Sequence, residues 1–218
     1  MIFWIWTNKI SLAKFIVLIY SLDMKFLLTS CGLTNKSICS ALLDLTGKKP
    51  QDLNVVFIPT AANADGHDKS WLINDLVNIK DQNFKMIDIV DISALEKKNW
   101  LPRLENADIF IVSGGNTFHL MYWLKKSGLA ELLPELLKTR VYVGISAGSI
   151  VMAKDLSLTN AKKLYYDEIN GEYEGGSLAY FDFHVRPHFN SPHFPNVNKE
   201  VLEKKAKEIP EPIYALDD

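Results

Sequence analysis

At 218 residues the chain is long enough for one α/β domain and short for two. Its composition, 48% hydrophobic and 23% charged with a net charge of −2, is that of an ordinary globular protein. Lysines fall in scattered pairs such as Lys97–Lys98 and Lys204–Lys205, which excludes the basic stripe a nucleic-acid partner needs.

The first 23 residues, "MIFWIWTNKISLAKFIVLIYSLD", are apolar, but Lys9 and Lys14 interrupt them and no small-residue cleavage site follows. The uncharged run from Phe15 to Leu22 is far short of the roughly 20 residues that span a bilayer. Residues 1–23 are therefore expected to be an upstream extension outside the fold, with Met24 as the natural start. Residues 24–218 are expected to form one domain, cytoplasmic and without stable membrane association. The two cysteines, Cys31 and Cys39, form no CxxC and no Cys/His cluster, so neither a disulfide nor a metal site is expected. Both thiols read as small buried hydrophobes.

From Met24 onward, short apolar strands alternate with helical segments. "KFLLTS" reads as a strand and "NKSICSALLDLTG" as a helix stopped by Gly47. "NVVFIPTAA" is a strand ending in a loop, and "DKSWLINDLVNIKDQ" has the apolar spacing of a helix. "KMIDIVDI" and "ADIFIVSGG" follow as strands, then "NTFHLMYWLKKSG" as a helix and "LAELLPELLKT" as a helical stretch interrupted by Pro134. "RVYVGIS" is the next strand and "AGSIVMAKD" opens the next helix. Strands apolar throughout belong to a parallel sheet covered on both faces, so the expected fold is a doubly wound α/β layout. In such sheets ligands bind beyond the carboxyl ends of the strands, where both glycine-bearing turns, Gly114–Gly115 and Gly144–Gly148, fall.

"GISAG" satisfies G-x-S-x-G in the strand-turn-helix setting that this motif requires. Small neighbours let the backbone bend and a substrate approach, which makes Ser146 a candidate nucleophile. The amide of Ala147 and the helix N-terminus behind it would then favour developing negative charge. "SGGNT" at the end of another strand offers a second oxyanion donor. It is neither a dinucleotide fingerprint nor a phosphate loop. Among the histidines, His188 follows Pro187 at a strand end and is the best-placed base, with His193 second; His119 reads as a packed residue and His67 as part of a polar loop. The orienting acid stays open among Asp167, Glu168, Asp182, Asp217 and Asp218.

"MKFLLTSCG", "VVFIPTAA", "ADIFIVSGGNTFHL", "GISAGSIV", "VRPHFN" and "IYALDD" together resemble peptidase E, the aspartyl dipeptidases, with cyanophycinases as relatives on the same fold. The resemblance implies a flavodoxin-like sheet related to class I glutamine amidotransferases, with serine in place of their cysteine. It implies Ser146 as nucleophile, His188 as base, and Gly115 and Ala147 as oxyanion-hole amides. It places the acid in "YALDD", with Asp218 the best match and Asp217 beside it, where peptidase E itself has glutamate. A further acidic position of some members falls near Ala161 and is missing. Family members continue past this segment, so the chain is expected to be truncated at its C-terminus. The implied activity is hydrolysis of short peptides, notably dipeptides with N-terminal aspartate, without metal or organic cofactor. For such an aspartyl substrate Arg186 beside the base is the candidate cation, with Asn116 a further candidate substrate contact. The alternatives are hydrolysis of isoaspartyl or cyanophycin-type amides, or an inactive ligand-binding homologue. The expected partner is a small peptide, and a homodimer is compatible with the sequence.

Overall fold

The computed structural model describes residues 6–7, 10–13, 15–19, 24–64, 66–159 and 176–218. Short strands β1 (Trp6–Thr7), β2 (Ile10–Ala13) and β3 (Phe15–Ile19) precede β4 (Lys25–Thr29) and α1 (Lys36–Thr46). Then come β5 (Asn54–Ile58), α2 (Ser70–Lys80), β6 (Met86–Ile89), α3 (Lys97–Glu105), β7 (Ile109–Val112), α4 (Thr117–Lys126) and α5 (Leu129–Leu136). β8 (Val141–Ile145), α6 (Ala147–Ile150), β9 (His184–Phe189), α7 (Lys199–Glu208) and β10 (Ile213–Asp217) complete the described chain.

The main sheet has the order β3-β4-β8-β7-β5-β6, with β3 antiparallel to β4 and all other pairs parallel. The run β6-β5-β7-β8 repeats the flavodoxin-like order, and β4 takes the place beyond β8. Successive residues of each strand go to opposite cores, which is why the strands are apolar throughout. Phe26 and Leu28 of β4 join Val56, Ile58, Phe110 and Tyr142 against α3, α4 and α5. Leu27 joins Val55, Phe57, Ile111 and Val143 against Ile38 and Leu42 of α1 and Ile79 of α2. This is the expected α/β fold, with helices on both faces.

A second sheet, β1-β2-β10-β9, carries β2, β10 and β9 in parallel. Here the structure corrects the expectation that residues 1–23 lie outside the fold. β2 pairs with β10 from Ile10↔Ile213 to Ala13↔Leu216, and β3 pairs with β4 from Phe15↔Thr29 to Ile19↔Lys25. Both β4 and β10 would otherwise present an open edge of backbone donors and acceptors, and an apolar extended segment satisfies them. Ile10 also fills a small core with Phe189, Leu202 and Ala215.

Two helical expectations change as well. α5 runs through Pro134 and ends at Leu136. α6 is a single turn of four residues, so it supplies individual N–H groups at its start rather than a long helix dipole. Helix α3 has no strong apolar periodicity, with only Trp100 and Leu104 buried, and escapes sequence reading. Among the described residues, no helix is long and apolar enough to cross a membrane.

Candidate active site

The site lies at the carboxyl ends of β4, β7, β8, β9 and β10. Ser146 follows β8 with φ 46° and ψ −104°, a conformation that costs a non-glycine residue about 1–3 kcal/mol. Neighbouring bonds hold it there. The Ser146 N–H donates to the Thr29 carbonyl at 3.1 Å. Ser149 Oγ donates to the same carbonyl at 2.8 Å, and Thr29 Oγ1 donates to the Gly144 carbonyl at 2.8 Å. Tyr142 Oη donates to the Gly148 carbonyl at 2.7 Å. The flanking glycines are required sterically: a Cβ on Gly148 would overlap the Val112 carbonyl, and one on Gly144 would stand 2.7 Å from the backbone of Gly148 and Ser149.

His188 reaches Ser146 through a defect in the small sheet. Arg186 pairs with Ala215 but Phe189 pairs with Asp217, so β9 carries one residue more than β10 over this stretch. Pro187 has no N–H to contribute to the ladder, and His188 takes φ 65°. Its ring stacks on Phe194 at 4.1 Å between centroids. Nε2 lies 2.9 Å from Ser146 Oγ, and Nδ1 lies 2.8 Å from Asp218 Oδ1. With a carboxylate at Nδ1, that nitrogen carries the proton, and Nε2 is left to accept from Ser146. Burial lowers the His188 pKa, and the charges of Arg186 and His193 add to this; Asp218 opposes them.

Of the open acids, the structure brings Asp218 to the imidazole. Asp217, one residue back, makes no bond to the ring among the described residues, and Asp182 pairs with Lys154 at 3.1 Å. Asp167, Glu168 and the position of Ala161 lie outside the described residues. Asp218 Oδ1 also accepts from Ser30 Oγ at 2.6 Å and from the Cys31 thiol at 3.0 Å. Burial of Asp218 works against its charge, but the neighbouring donors of Ser191, Ser30, Cys31 and His188, in that order, outweigh it and hold the carboxyl at about 2.

Ser30 and Cys31 are the residues that sequence reading missed. Ser30 Oγ bonds both Asp218 and the His188 backbone N–H, the latter at 2.8 Å, and so ties acid and base to β4. Neither Cys31 nor Cys39 is the buried hydrophobe expected, since both are half-buried, and Cys31 has a polar role. It donates to the acid, and burial followed by the Asp218 carboxylate pushes its pKa up to about 12. The one available signal was "TSCG", small polar residues just past a strand's carboxyl end. Among the described residues, Cys31, His188 and Asp218 also form the group whose donor atoms lie close enough together to hold a cation, within 4.8 Å.

The Gly114–Gly115 loop abuts the elbow, the Cβ position of Gly114 lying 3.3 Å from Ser146 Cβ. Gly115 has φ 129°, and a Cβ there would overlap the Ala61 carbonyl. Gly115→Ala is expected to lower the thermal midpoint by several degrees in a melting scan, from roughly 1–3 kcal/mol of strain. Among the described residues, neither the Gly115 nor the Ala147 N–H has a backbone acceptor. Asn116 is buried and caps α4, its side-chain oxygen accepting from the His119 N–H at 3.0 Å. Arg186 is 6% exposed and without a carboxylate partner among the described residues, and burial lowers its pKa to about 10.

A sequence model of peptidase family S51 matches residues 26–218. An uncharacterised peptidase of Pasteurella multocida is 27% identical over 172 residues, which are 77% of this chain and 80% of that protein. A peptidase E of Shewanella oneidensis is 32% identical over 107 residues, covering 49% of this chain and 43% of that one. The crystal structure of a candidate peptidase E from Listeria monocytogenes superposes with a TM-score of 0.72 at 23% identity, covering 88% of this chain and 89% of that chain, and shares its fold. The S51 match takes in the Ser146 elbow, the β9 bulge bearing His188, and Asp218, and the chain belongs to peptidase family S51.

Proposed function

We propose that the protein is a serine peptidase that hydrolyses short peptides, notably dipeptides with N-terminal aspartate, through an acyl-enzyme on Ser146. The observation that carries this reading is the continuous chain from Ser146 Oγ through His188 to Asp218, with spans of 2.9 and 2.8 Å. His188 Nε2 takes the hydroxyl proton as Oγ attacks the scissile carbonyl. The N–H groups of Gly115 and Ala147 receive the tetrahedral oxyanion. The imidazolium returns its proton to the leaving amine as the C–N bond breaks. Water then enters, gives a proton to His188 and attacks the acyl ester, and the Ser146 hydroxyl is regenerated as the acid product leaves. The His188 pKa sits below its ordinary value, so the imidazole is neutral and ready to accept a proton at neutral pH.

The preference for aspartate is supported by Arg186, a buried cation without a carboxylate of its own among the described residues, two positions before His188. Hydrolysis of Asp-Leu, Ala-Leu and β-Asp-Leu tests it. Asp-Leu is expected to have the highest kcat/KM, and Arg186→Met is expected to lower that value by about 10- to 100-fold while changing Ala-Leu less. Equal rates on Asp-Leu and Ala-Leu would remove the aspartate preference, and turnover of β-Asp-Leu alone would move the assignment to isoaspartyl amides.

A further inference from the structure

Helix α2 carries a carboxylate that the mechanism above does not use. Asp75 is 8% exposed and, among the described residues, makes no ion pair and accepts no hydrogen bond. It does not cap α2, since it stands in the middle of Ser70–Lys80. Its place relative to the elbow is fixed through two glycines. A Cβ on Gly32 would stand 3.5 Å from Asp75 Oδ1 and 2.9 Å from Cδ1 of Ile145, the residue immediately before Ser146. One turn earlier on the same helix, the Trp71 ring lies 3.7 Å from the Cβ position of Gly114, which is itself 3.3 Å from Ser146 Cβ. α2 therefore runs along the elbow, with Trp71 beside the glycine loop and Asp75 against Gly32, where the absence of a side chain lets the carboxylate and Ile145 approach the backbone that leads into the site.

A buried carboxylate without a partner is costly, and burial pushes its carboxyl up to about 7. Buried acids in folds are ordinarily paired or capping, and among the described residues Asp75 is neither. Lys69, just before the helix, donates to the Ala62 carbonyl. With no cation beside it among the described residues, the carboxylate suits a partner that arrives with the substrate.

We propose that Asp75 receives the ammonium group of the peptide substrate and so holds the residue on the amino side of the scissile bond against Ser146. The inference rests on the serine peptidase reading and deepens it: a charged receptor for a free amine confines the enzyme to the amino-terminal peptide bond. The ammonium can come from the peptide's own amino terminus or from a lysine side chain, and the substrates separate the two.

The test compares wild type with Asp75→Asn, a change of nearly equal volume, on Ala-Leu, on Lys-Leu and on p-nitrophenyl acetate, an ester without an amine. KM for Ala-Leu is expected to rise by about 10- to 100-fold in the variant, with the ratio of kcat/KM for Ala-Leu over the ester falling by a similar factor. A loss confined to Lys-Leu assigns the carboxylate to a side-chain ammonium. An unchanged ratio for both peptides overturns the proposal. The melting temperature of Asp75→Asn at pH 8 is expected to rise, because an unpaired buried charge has been removed; a fall would mean that Asp75 has a structural partner and also overturns it. Calorimetric binding of Ala-Leu to Ser146→Ala and to the Ser146→Ala/Asp75→Asn double variant gives the same decision without turnover. If wild type hydrolyses neither peptide, the peptidase reading fails, and the calorimetric comparison still decides Asp75.

Discussion

Ser146→Ala is expected to lower kcat for Asp-Leu by about 10⁶-fold, the scale of loss when a triad nucleophile is removed, with the fold intact. The loss falls on kcat because the alanine variant keeps Gly115, Ala147 and the surrounding pocket. Ser146→Gly separates chemistry from strain. It too is expected to be inactive, but φ 46° with ψ −104° is cheap for glycine, so part of the roughly 1–3 kcal/mol stored at the elbow is released. After the entropy cost of a new glycine, a net gain of about 1 kcal/mol is expected, read as a melting temperature higher by about 2–4 °C. A variant with no nucleophile but higher stability is the signature of strain kept for function. Asp-Leu hydrolysis by Ser146→Ala at a rate near wild type would sink the serine mechanism. Unchanged melting of Ser146→Gly would mean that the elbow is not strained.

What could be read from the sequence divides along a physical line. Ser146 and the two glycine loops were legible because their constraint is local: a tight turn between an apolar strand and a helix needs small residues at fixed spacing. His188 was legible from its place after Pro187 at a strand end. Its route to Ser146 was not, because that route depends on a register shift between β9 and β10, which no single strand encodes. Asp217 and Asp218 could not be told apart because spacing alone does not say which neighbour turns toward the imidazole; the structure places Asp218 Oδ1 2.8 Å from His188 Nδ1. Ser30, Cys31 and Asp75 are more than a hundred residues from His188, and only the assembled sheet brings their part of the chain to the site. The strands before Met24 escaped for a similar reason. Their apolar character was plain, but the edges they complete belong to β4 and β10.

The second large effect concerns Asp218. Asp218→Ala is expected to lower kcat by about 10⁴-fold, whereas Asp217→Ala stays within a few-fold of wild type. Three donors, from Ser30, Cys31 and His188, converge on the single oxygen Oδ1 of Asp218. With alanine at 218 all three lose that acceptor, nothing fixes the proton on Nδ1, and a ring with its proton on Nε2 cannot accept from Ser146. The pH profile distinguishes this account from simple loss of a charged neighbour. Wild-type kcat/KM rises with pH as His188 loses its proton, and the midpoint lies below the ordinary histidine value because burial disfavours the imidazolium. Asp218 is the group that pulls that midpoint back up, so its removal moves the acid limb to lower pH while the plateau falls. The variant is therefore expected to hold a larger neutral fraction of His188 at pH 6 than wild type and still to be far slower. Its defect lies in which nitrogen holds the proton and in the lost support for the imidazolium of the transition state. A pH–rate series on both proteins reads the two quantities together. An acid limb shifted upward in Asp218→Ala, or a plateau within tenfold of wild type, would remove Asp218 from the triad and reopen Asp217.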